Sequence, residues 1–364
     1  MANKRTYLVT GAAGYLGSEV CRQLLEQNES VRAFVLPNDP AIQYIPKDVE
    51  IVEGDLRDKA SLETFFHVDA DTETVVLHCA SIVALGMEMP KIVMDINVGG
   101  TQNIIDLCLE HKECKKLVYV GSTGSIPEAP KGSVMKEISY YDPEPVISAY
   151  GKSKAMASQL VLDAVKNQHL NACLVLPSGI LGPGDNAIGQ VTDGLLKQMN
   201  GEAAIGINGT FNLCDVRDLA NAVILAVENG KSGESYILAN EVITYPEFAN
   251  IVAKEGRCKR PLFFLPLPLA SFVANILEKQ AQKKGSTPAL TKYMIYNLSR
   301  NNAFDSSKAK KDLGYKTRPF HETIRDEIAW LKEIGKLQGT NTGANFGENY
   351  ILAEAMINAV LYAR

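Results

Sequence analysis

Along the first 180 residues, short apolar runs rich in β-branched residues alternate with longer stretches whose apolar positions recur every three or four residues. The runs Thr6–Thr10, Val31–Leu36, Glu50–Glu53, Thr74–His78, Lys116–Gly121 and Ala172–Leu176 predict strands. The stretches Tyr15–Gln27, Lys59–His67, Lys91–His111 and Ser148–Gln168 predict amphipathic helices. A βαβαβ order is the signature of a parallel sheet covered on both faces, with right-handed crossovers. The fold class expected is therefore α/β, a doubly wound parallel sheet.

After Pro177 the rhythm breaks. Glycine and proline cluster at Gly179–Gly184, and Gly201–Gly209 is glycine-rich again. Short strands are expected near Ile205–Ile207, Phe211–Cys214 and Ser235–Leu238, and helices at Leu219–Glu228, Pro246–Lys254, Ser306–Leu313 and His321–Ile334. This half is expected to finish the sheet and build a smaller cap. Residues 338–347 read as a flexible linker. Residues 349–364 read as one more amphipathic helix, either a surface helix or an oligomer contact.

Composition narrows the classes. The chain has 364 residues with 46% apolar and 22% charged positions, close to a globular average. Its 37 basic and 42 acidic residues leave a net charge of −5. An electrostatic nucleic-acid binder needs a cationic surplus, so that partner is excluded. The seven cysteines, Cys21, Cys79, Cys108, Cys114, Cys173, Cys214 and Cys258, are scattered and contain no C-x-x-C. They read as free thiols of a reducing, cytoplasmic compartment and not as a metal site. The N-terminus carries no signal-peptide pattern. The longest apolar stretch, Pro261–Leu277, contains Pro261, Pro266 and Pro268 and is too short to span a bilayer.

Between the first strand and first helix lies Thr10-Gly11-Ala12-Ala13-Gly14-Tyr15-Leu16-Gly17. Gly11, Gly14 and Gly17 let the backbone turn tightly and approach a pyrophosphate, while a helix beginning at Tyr15 and Leu16 offers free N–H groups and a partial positive charge. Such a loop, first in a βαβ series, points to a dinucleotide. Asp55 and Leu56 follow the third strand, where a carboxylate accepts a bond from adenine. Cys79, Ala80 and Ser81 follow the fourth, where small residues leave room for ribose. Pro177 and Ile180, just past the sixth, are expected on the cofactor side as well. The second strand ends Ala33-Phe34-Val35-Leu36-Pro37 and offers neither the acid that favours NAD nor the arginine that favours NADP. Asp39 is the nearest acid and tilts the reading to NAD.

Tyr150 and Lys154 sit four residues apart at the start of a helix and so share a face. A free tyrosine has a pKa near 10, and a nearby ammonium favours its phenolate. Tyr150 is then suited to exchange a proton with an alcohol or carbonyl while hydride moves to or from nicotinamide. Ser122, at the end of the fifth strand, is placed to hydrogen-bond the same oxygen, with Thr123 and Ser125 as rivals in its loop.

With these pieces in order, the chain resembles the extended short-chain dehydrogenase/reductase family over roughly residues 5–335. The motifs are TGAAGYLG, GDL, HCAS, NVGGT at Asn97–Thr101, VGS ending at Ser122, and YGKSK. The resemblance implies a Rossmann sheet of about seven strands and a smaller C-terminal α/β substrate domain. The dinucleotide-binding domain is expected over residues 1–180 and completed by parts of 205–240. The cap is expected over 181–335, with a linker and helix over 336–364. It assigns Ser122, Tyr150 and Lys154 as the catalytic trio and Asn97 to the cofactor side. It also implies a homodimer through two helices per subunit.

Members acting on nucleotide sugars carry R-x-x-N-x-x-G-P after the sixth strand. Leu176 and Gly179 stand at those Arg and Asn positions here. Sugar dehydratases show T-D-E at the Ser122 position, where this chain has Thr123 and Gly124 in place of the two acids. Pro177-Ser178-Gly179-Ile180-Leu181-Gly182-Pro183 instead resembles dihydroflavonol reductases, cinnamoyl-type reductases and 3β-hydroxysteroid dehydrogenases. Phe263, Phe264, Leu265 and Leu267 either wall a greasy pocket or pack a core. Phe304–Ala309 with Leu313-Gly314-Tyr315 resembles a late structural element of these enzymes. The reading is an NAD(P)-dependent oxidoreductase acting on a small apolar alcohol or carbonyl compound, with a hydroxysteroid or phenolic ketone as its class. The alternatives are a nucleotide-sugar epimerase with tightly bound NAD, using Arg217 as a phosphate contact, and a non-enzymatic cofactor-binding scaffold.

Overall fold

Six parallel strands run through the first half of the chain: β1 (Lys4–Thr10), β2 (Ser30–Val35), β3 (Glu50–Glu53), β4 (Thr72–His78), β5 (Cys114–Val120) and β6 (Ala172–Pro177). In this computed structural model, which describes residues 4–69, 71–84, 88–284 and 290–337, a seventh strand, Ser235–Leu238, pairs with β6. The sheet runs Ser235–Leu238, β6, β5, β4, β1, β2, β3, and every pairing is parallel. β4, β5 and β6 are almost wholly buried, as a strand covered on both faces must be. The chain starts in the middle with β1, builds outward to β3, then returns to β1's other side with β4. Ligands of such sheets bind at this switch point, off the carboxyl ends of the strands. The register sets Thr10, the last residue of β1, opposite His78, the last of β4.

Local chemistry explains the helices. α1 (Tyr15–Glu26) buries Leu16, Val20, Cys21 and Leu24, one stripe of its surface. α2 (Lys59–Phe66) is capped by the Asp58 carboxylate, which accepts from Ala60 N. The predicted helix Lys91–His111 is three pieces: α3 (Lys91–Met94), a π-helical turn Asp95–Gly100, and α4 (Thr101–Glu110). Gly99 and Gly100 suit such a widened turn, and a Cβ on Gly100 would lie 2.9 Å from the Leu56 side chain. α5 (Ala149–Gln168) is capped by Ser148, whose Oγ accepts from Gly151 N at 3.0 Å.

The chain divides into two units. The first takes the residues up to Ile180 together with Cys214–Asn240 and Ala303–Thr317; the second takes Leu181–Leu213, Glu241–Asn302 and the chain from Arg318 on. In the first, Ala309, Leu313 and Tyr315 join the core beside the helix Val216–Asn229, and Phe304 bridges Met135.

In the second, Ile205–Ile207 pairs with Phe263–Leu265, and Thr210–Asn212 with Val242–Thr244, so these strands lie outside the central sheet. Its core gathers Phe248 and Val252 of the helix Tyr245–Gly256 and Ile324, Ile328 and Leu331 of the helix Phe320–Glu333. Three helices, Gln190–Met199, Leu267–Lys284 and Lys292–Ser299, escape the sequence pattern. Pro266 and Pro268 disguise the second, yet proline fits a helix's first turn, whose N–H groups have no intrahelical partner. The Phe264 ring lies 6.0 Å from that of Tyr245, and Leu265 and Leu267 pack against Ala270, Ala274 and Ile295. Phe264, Leu265 and Leu267 therefore pack within this unit, while Leu262 and Phe272 are exposed. Among the described residues no helix is long and apolar enough to cross a membrane. The linker and helix expected over 338–364 lie outside the described residues.

Candidate active site

The glycine-rich loop is shaped by contacts that tolerate no side chain. Gly11 has φ +67°, and a Cβ there would lie 2.7 Å from Ala80 Cα and N. A Cβ on Gly17 would lie 2.1 Å from the Gly11 carbonyl oxygen. Gly14 N donates to that same oxygen at 2.9 Å. No side chain caps α1, and its first turn holds no acid, so its N-terminal N–H groups and partial charge serve the cleft. Backbone held this close, opening onto an uncapped helix, fits a pyrophosphate.

The loop forms one end of a cavity of about 500 Å³ within the first unit. Gly11, Gly14, Tyr15, Leu16, Gly17, Asp55, Leu56, Cys79, Ala80, Ser81, Pro177 and Ile180 line it, and so do Ser122, Tyr150 and Lys154. Asn97 does not. It stands buried behind the wall, its amide donating to Ile82 O at 2.9 Å and Ser153 Oγ at 3.0 Å and accepting from Ile82 N at 2.8 Å. Ser153 in turn donates to Tyr150 O at 2.8 Å. Asn97 thus braces the Ile82 loop against the first turn of α5. Phe34, Leu36, Ile82, Val83 and Ile96 also line the cavity and were missed, because apolar residues carry no distinctive spacing.

Lys154 is the most unusual group. Its side chain is 2% exposed, and burial lowers its pKa from 10.5 to about 7, with Cys79 pulling weakly the other way. Nζ donates to Val120 O at 2.7 Å and to the Tyr119 hydroxyl at 3.4 Å, and lies over the Tyr119 ring. Tyr150, one turn earlier, is half-buried and packs against Ala84, Val93 and Ala149, with Met89 nearby. Ser122 Oγ accepts from Gly124 N at 3.0 Å and keeps a proton to donate. Its rivals are turned to other work: Thr123 is buried outside the cavity wall, and Ser125 donates to Ser122 O at 2.6 Å.

His78, the first residue of the HCAS motif, stands behind the cavity. His78 is fully buried between Thr10 Oγ1, 2.6 Å from Nδ1, and Thr101 Oγ1, 3.0 Å from Nε2. Burial, and then the Lys154 charge, lower its pKa to about 3. The sequence signal was its place at the head of the HCAS motif, ending an apolar strand. Cys79, at the cavity wall, has its thiol pushed up to about 12 by burial and is no nucleophile at neutral pH.

Of the lining residues, Asp39 is the acid nearest the end of β2, and its Oδ1 accepts from Ala41 N at 2.9 Å. The Arg57 guanidinium clasps Asp55, with Nε 3.0 Å from each carboxylate oxygen, and holds that carboxyl below its ordinary range. Arg217 lies outside the wall, its guanidinium bonded to Asp215 at 2.7–2.8 Å, so a phosphate contact there would first have to break an ion pair.

The profile of the NAD dependent epimerase/dehydratase family matches residues 7–239. The chain belongs to that family. Within it, the chain is an enzyme of the extended short-chain dehydrogenase/reductase kind, a nicotinamide-dependent oxidoreductase. It is 26% identical over 337 residues to sterol demethylase protein B of Methylococcus capsulatus, covering 91% of this chain and 100% of that one. It is 28% identical over 358 residues to the decarboxylating sterol-4-alpha-carboxylate 3-dehydrogenase ERG26 of Saccharomyces cerevisiae, covering 92% and 99%. Among solved structures, gox2253 superposes with a TM-score of 0.79 at 30% identity, covering 92% of this chain and 100% of that chain. The family uses a nicotinamide cofactor, and the glycine cradle and uncapped α1 fit one.

Proposed function

We propose that this enzyme interconverts a secondary alcohol and a ketone on an apolar, uncharged substrate of the hydroxysteroid class, with NAD preferred to NADP. One observation carries the reading. A single cavity collects the glycine loop, Ser122, Tyr150 and a buried, cleft-facing Lys154. Bound in this cleft, the dinucleotide supplies or accepts hydride at the substrate carbon. The chain's own residues handle the proton. Tyr150 gives its hydroxyl proton to the carbonyl oxygen in reduction, and its phenolate takes one from the alcohol in oxidation. Ser122 donates its remaining proton to the same oxygen and fixes its direction. Lys154, when charged, favours the phenolate, and its remaining N–H would hold the ribose of a bound dinucleotide.

The substrate class rests on the apolar packing around Tyr150, on Leu176 and Gly179 at the positions of the sugar-type Arg and Asn, and on the sterol-named relatives. The preference for NAD rests on Asp39, the lining acid nearest the end of β2, whose charge would repel a 2′-phosphate placed beside it.

The test is absorbance at 340 nm with NAD or NADP and a panel of 3-hydroxysteroids and other apolar secondary alcohols. Reduced cofactor forming with wild type and not with Tyr150→Phe is the expected result. Turnover surviving in Tyr150→Phe overturns the assignment of the proton. Tightly retained NAD with no alcohol oxidised favours an internally recycled cofactor instead.

A further inference from the structure

We propose that Tyr315, acting through the Cys214 sulfur on Ser178, is a positioning residue for the cavity wall around Pro177, Ser178 and Ile180. The inference rests on the oxidoreductase reading for what that wall holds, and on hydrogen-bond geometry for the linkage itself.

Three stretches far apart in sequence meet here, all within the first unit. Ser178 directly follows β6 and lines the cavity, as do Pro177 and Ile180. Cys214 is fully buried near the end of the strand Thr210–Asp215. Tyr315, from the late Leu313-Gly314-Tyr315 element, is 2% exposed and shares one apolar core with Cys214. Ile180 packs against that core. The Tyr315 hydroxyl donates to Cys214 Sγ at 3.3 Å, and Ser178 Oγ stands 3.3 Å from the same sulfur.

The protons can be placed. Burial pushes the Cys214 thiol up to about 11, so at neutral pH the sulfur holds one proton. Sγ lies 3.5 Å from Leu238 O, and a carbonyl only accepts, so the thiol proton goes there. The Ser178 hydroxyl is then the donor to the sulfur. Ser178 N donates to the same Leu238 carbonyl at 3.0 Å. Ser178 is thus held at two points: its N–H on Leu238, and its hydroxyl on a sulfur that Tyr315 and Leu238 hold in turn. A phenylalanine would fill the core as well as Tyr315 does. What the hydroxyl adds is a fixed direction for the sulfur, and through it for the wall.

The sheet order says what this wall serves. The glycine loop follows β1, while Asp39 and Asp55 follow β2 and β3 on one side of it. On the other side, Ser122 follows β5, and the register of Val120 with Val175 sets that strand end beside the end of β6. A dinucleotide with its pyrophosphate at α1 and its adenosine toward β2 and β3 would carry its nicotinamide toward β5 and β6. Ser178 and its neighbours stand on that reacting side, next to Ser122.

The test separates the two halves of the cofactor. NAD, and ADP-ribose, which lacks the nicotinamide, are titrated by calorimetry into the full-length protein and its variants. Ser178→Ala should weaken NAD binding about fivefold, the loss of about one hydrogen bond, and leave ADP-ribose within about twofold. Tyr315→Phe should weaken NAD about threefold with the same selectivity. Added to Ser178→Ala, Tyr315→Phe should change NAD affinity no further, because the phenol reaches the wall only through that hydroxyl. Cys214→Ala should match Ser178→Ala, and Cys214→Ser, which keeps a proton and an acceptor, should recover most of the loss. Ser178 is only partly buried, so Ser178→Ala tests the wall even where a core variant fails to fold. Neither titration needs a substrate, so the result stands even if no alcohol is oxidised. Equal losses for NAD and ADP-ribose would reduce these residues to packing and overturn the proposal. So would independent effects, with the double variant about fifteenfold weaker, or an NAD affinity unmoved by Ser178→Ala.

Discussion

Removing the buried lysine should make the cofactor-free protein more stable while abolishing turnover. Lys154→Met keeps the length of the side chain and deletes its charge. Burial moves the pKa from 10.5 to about 7, roughly 3.5 units, which at 1.36 kcal/mol per unit is about 5 kcal/mol against the charged form. Between pH 7 and 10.5 the unfolded chain holds a proton that the folded chain has shed, so wild-type stability rises with pH through that window. By the same relation the penalty at pH 7 is about 4 kcal/mol, and by pH 9 it falls to about 2 kcal/mol. Against it stands the Val120 carbonyl, which loses its 2.7 Å donor at a cost of about 1–3 kcal/mol. The variant is therefore expected to be about 1–3 kcal/mol more stable than wild type at pH 7, with the advantage gone near pH 9. The linkage of His78, between about 3 and 6.5, and of Cys79, between 9.0 and about 12, is present in both proteins, so the difference between their curves reads Lys154. Thermal unfolding of both proteins without cofactor at pH 6, 7, 8 and 9 measures the difference. Parallel curves, or a wild type more stable at pH 7, would refute the reasoning and place the lysine in a wetter site.

Three further outcomes are expected. Gly17→Ala puts a methyl group 2.1 Å from the Gly11 carbonyl oxygen, so the loop must shift and NAD affinity should fall at least about tenfold, read by fluorescence titration. Tyr150→Phe should lower kcat about 10²–10⁴-fold at unchanged NAD affinity, because it removes a proton donor and leaves the glycine loop intact; a loss confined to KM would contradict the role. Asp39→Asn keeps an oxygen for Ala41 N and removes the charge, so the kcat/KM ratio of NADP to NAD should rise about tenfold, and an unmoved ratio would remove Asp39 from cofactor choice.

The sequence alone determined the rhythm of the first 180 residues. Strand and helix periods are local, and so are the caps and glycines that separate them. β1 through β6 stand within a few residues of the predicted runs, and the Gly11–Gly17 loop and the Tyr150–Lys154 pair fall where one motif each placed them. The family resemblance, the same kind of local pattern, is met by the profile match over residues 7–239.

Other features came only from the tertiary structure, because they depend on what packs against what. Ser235–Leu238 becomes the seventh strand by finding β6, distant in sequence, while Ile205–Ile207, an equally plausible run, pairs with Phe263–Leu265. A helix hides behind Pro266 and Pro268, since periodicity does not say which prolines fall in a first turn. Asn97, expected on the cofactor side, has its amide directed by a π-helical turn to Ile82 and Ser153, partners distant in sequence that no motif names. Most of all, the depressed pKa of Lys154 and the burial of His78 between two threonine hydroxyls are written in no residue. They arise because folding removes water from both groups and leaves each with particular partners, and desolvation is a property of the packed chain, not of its order.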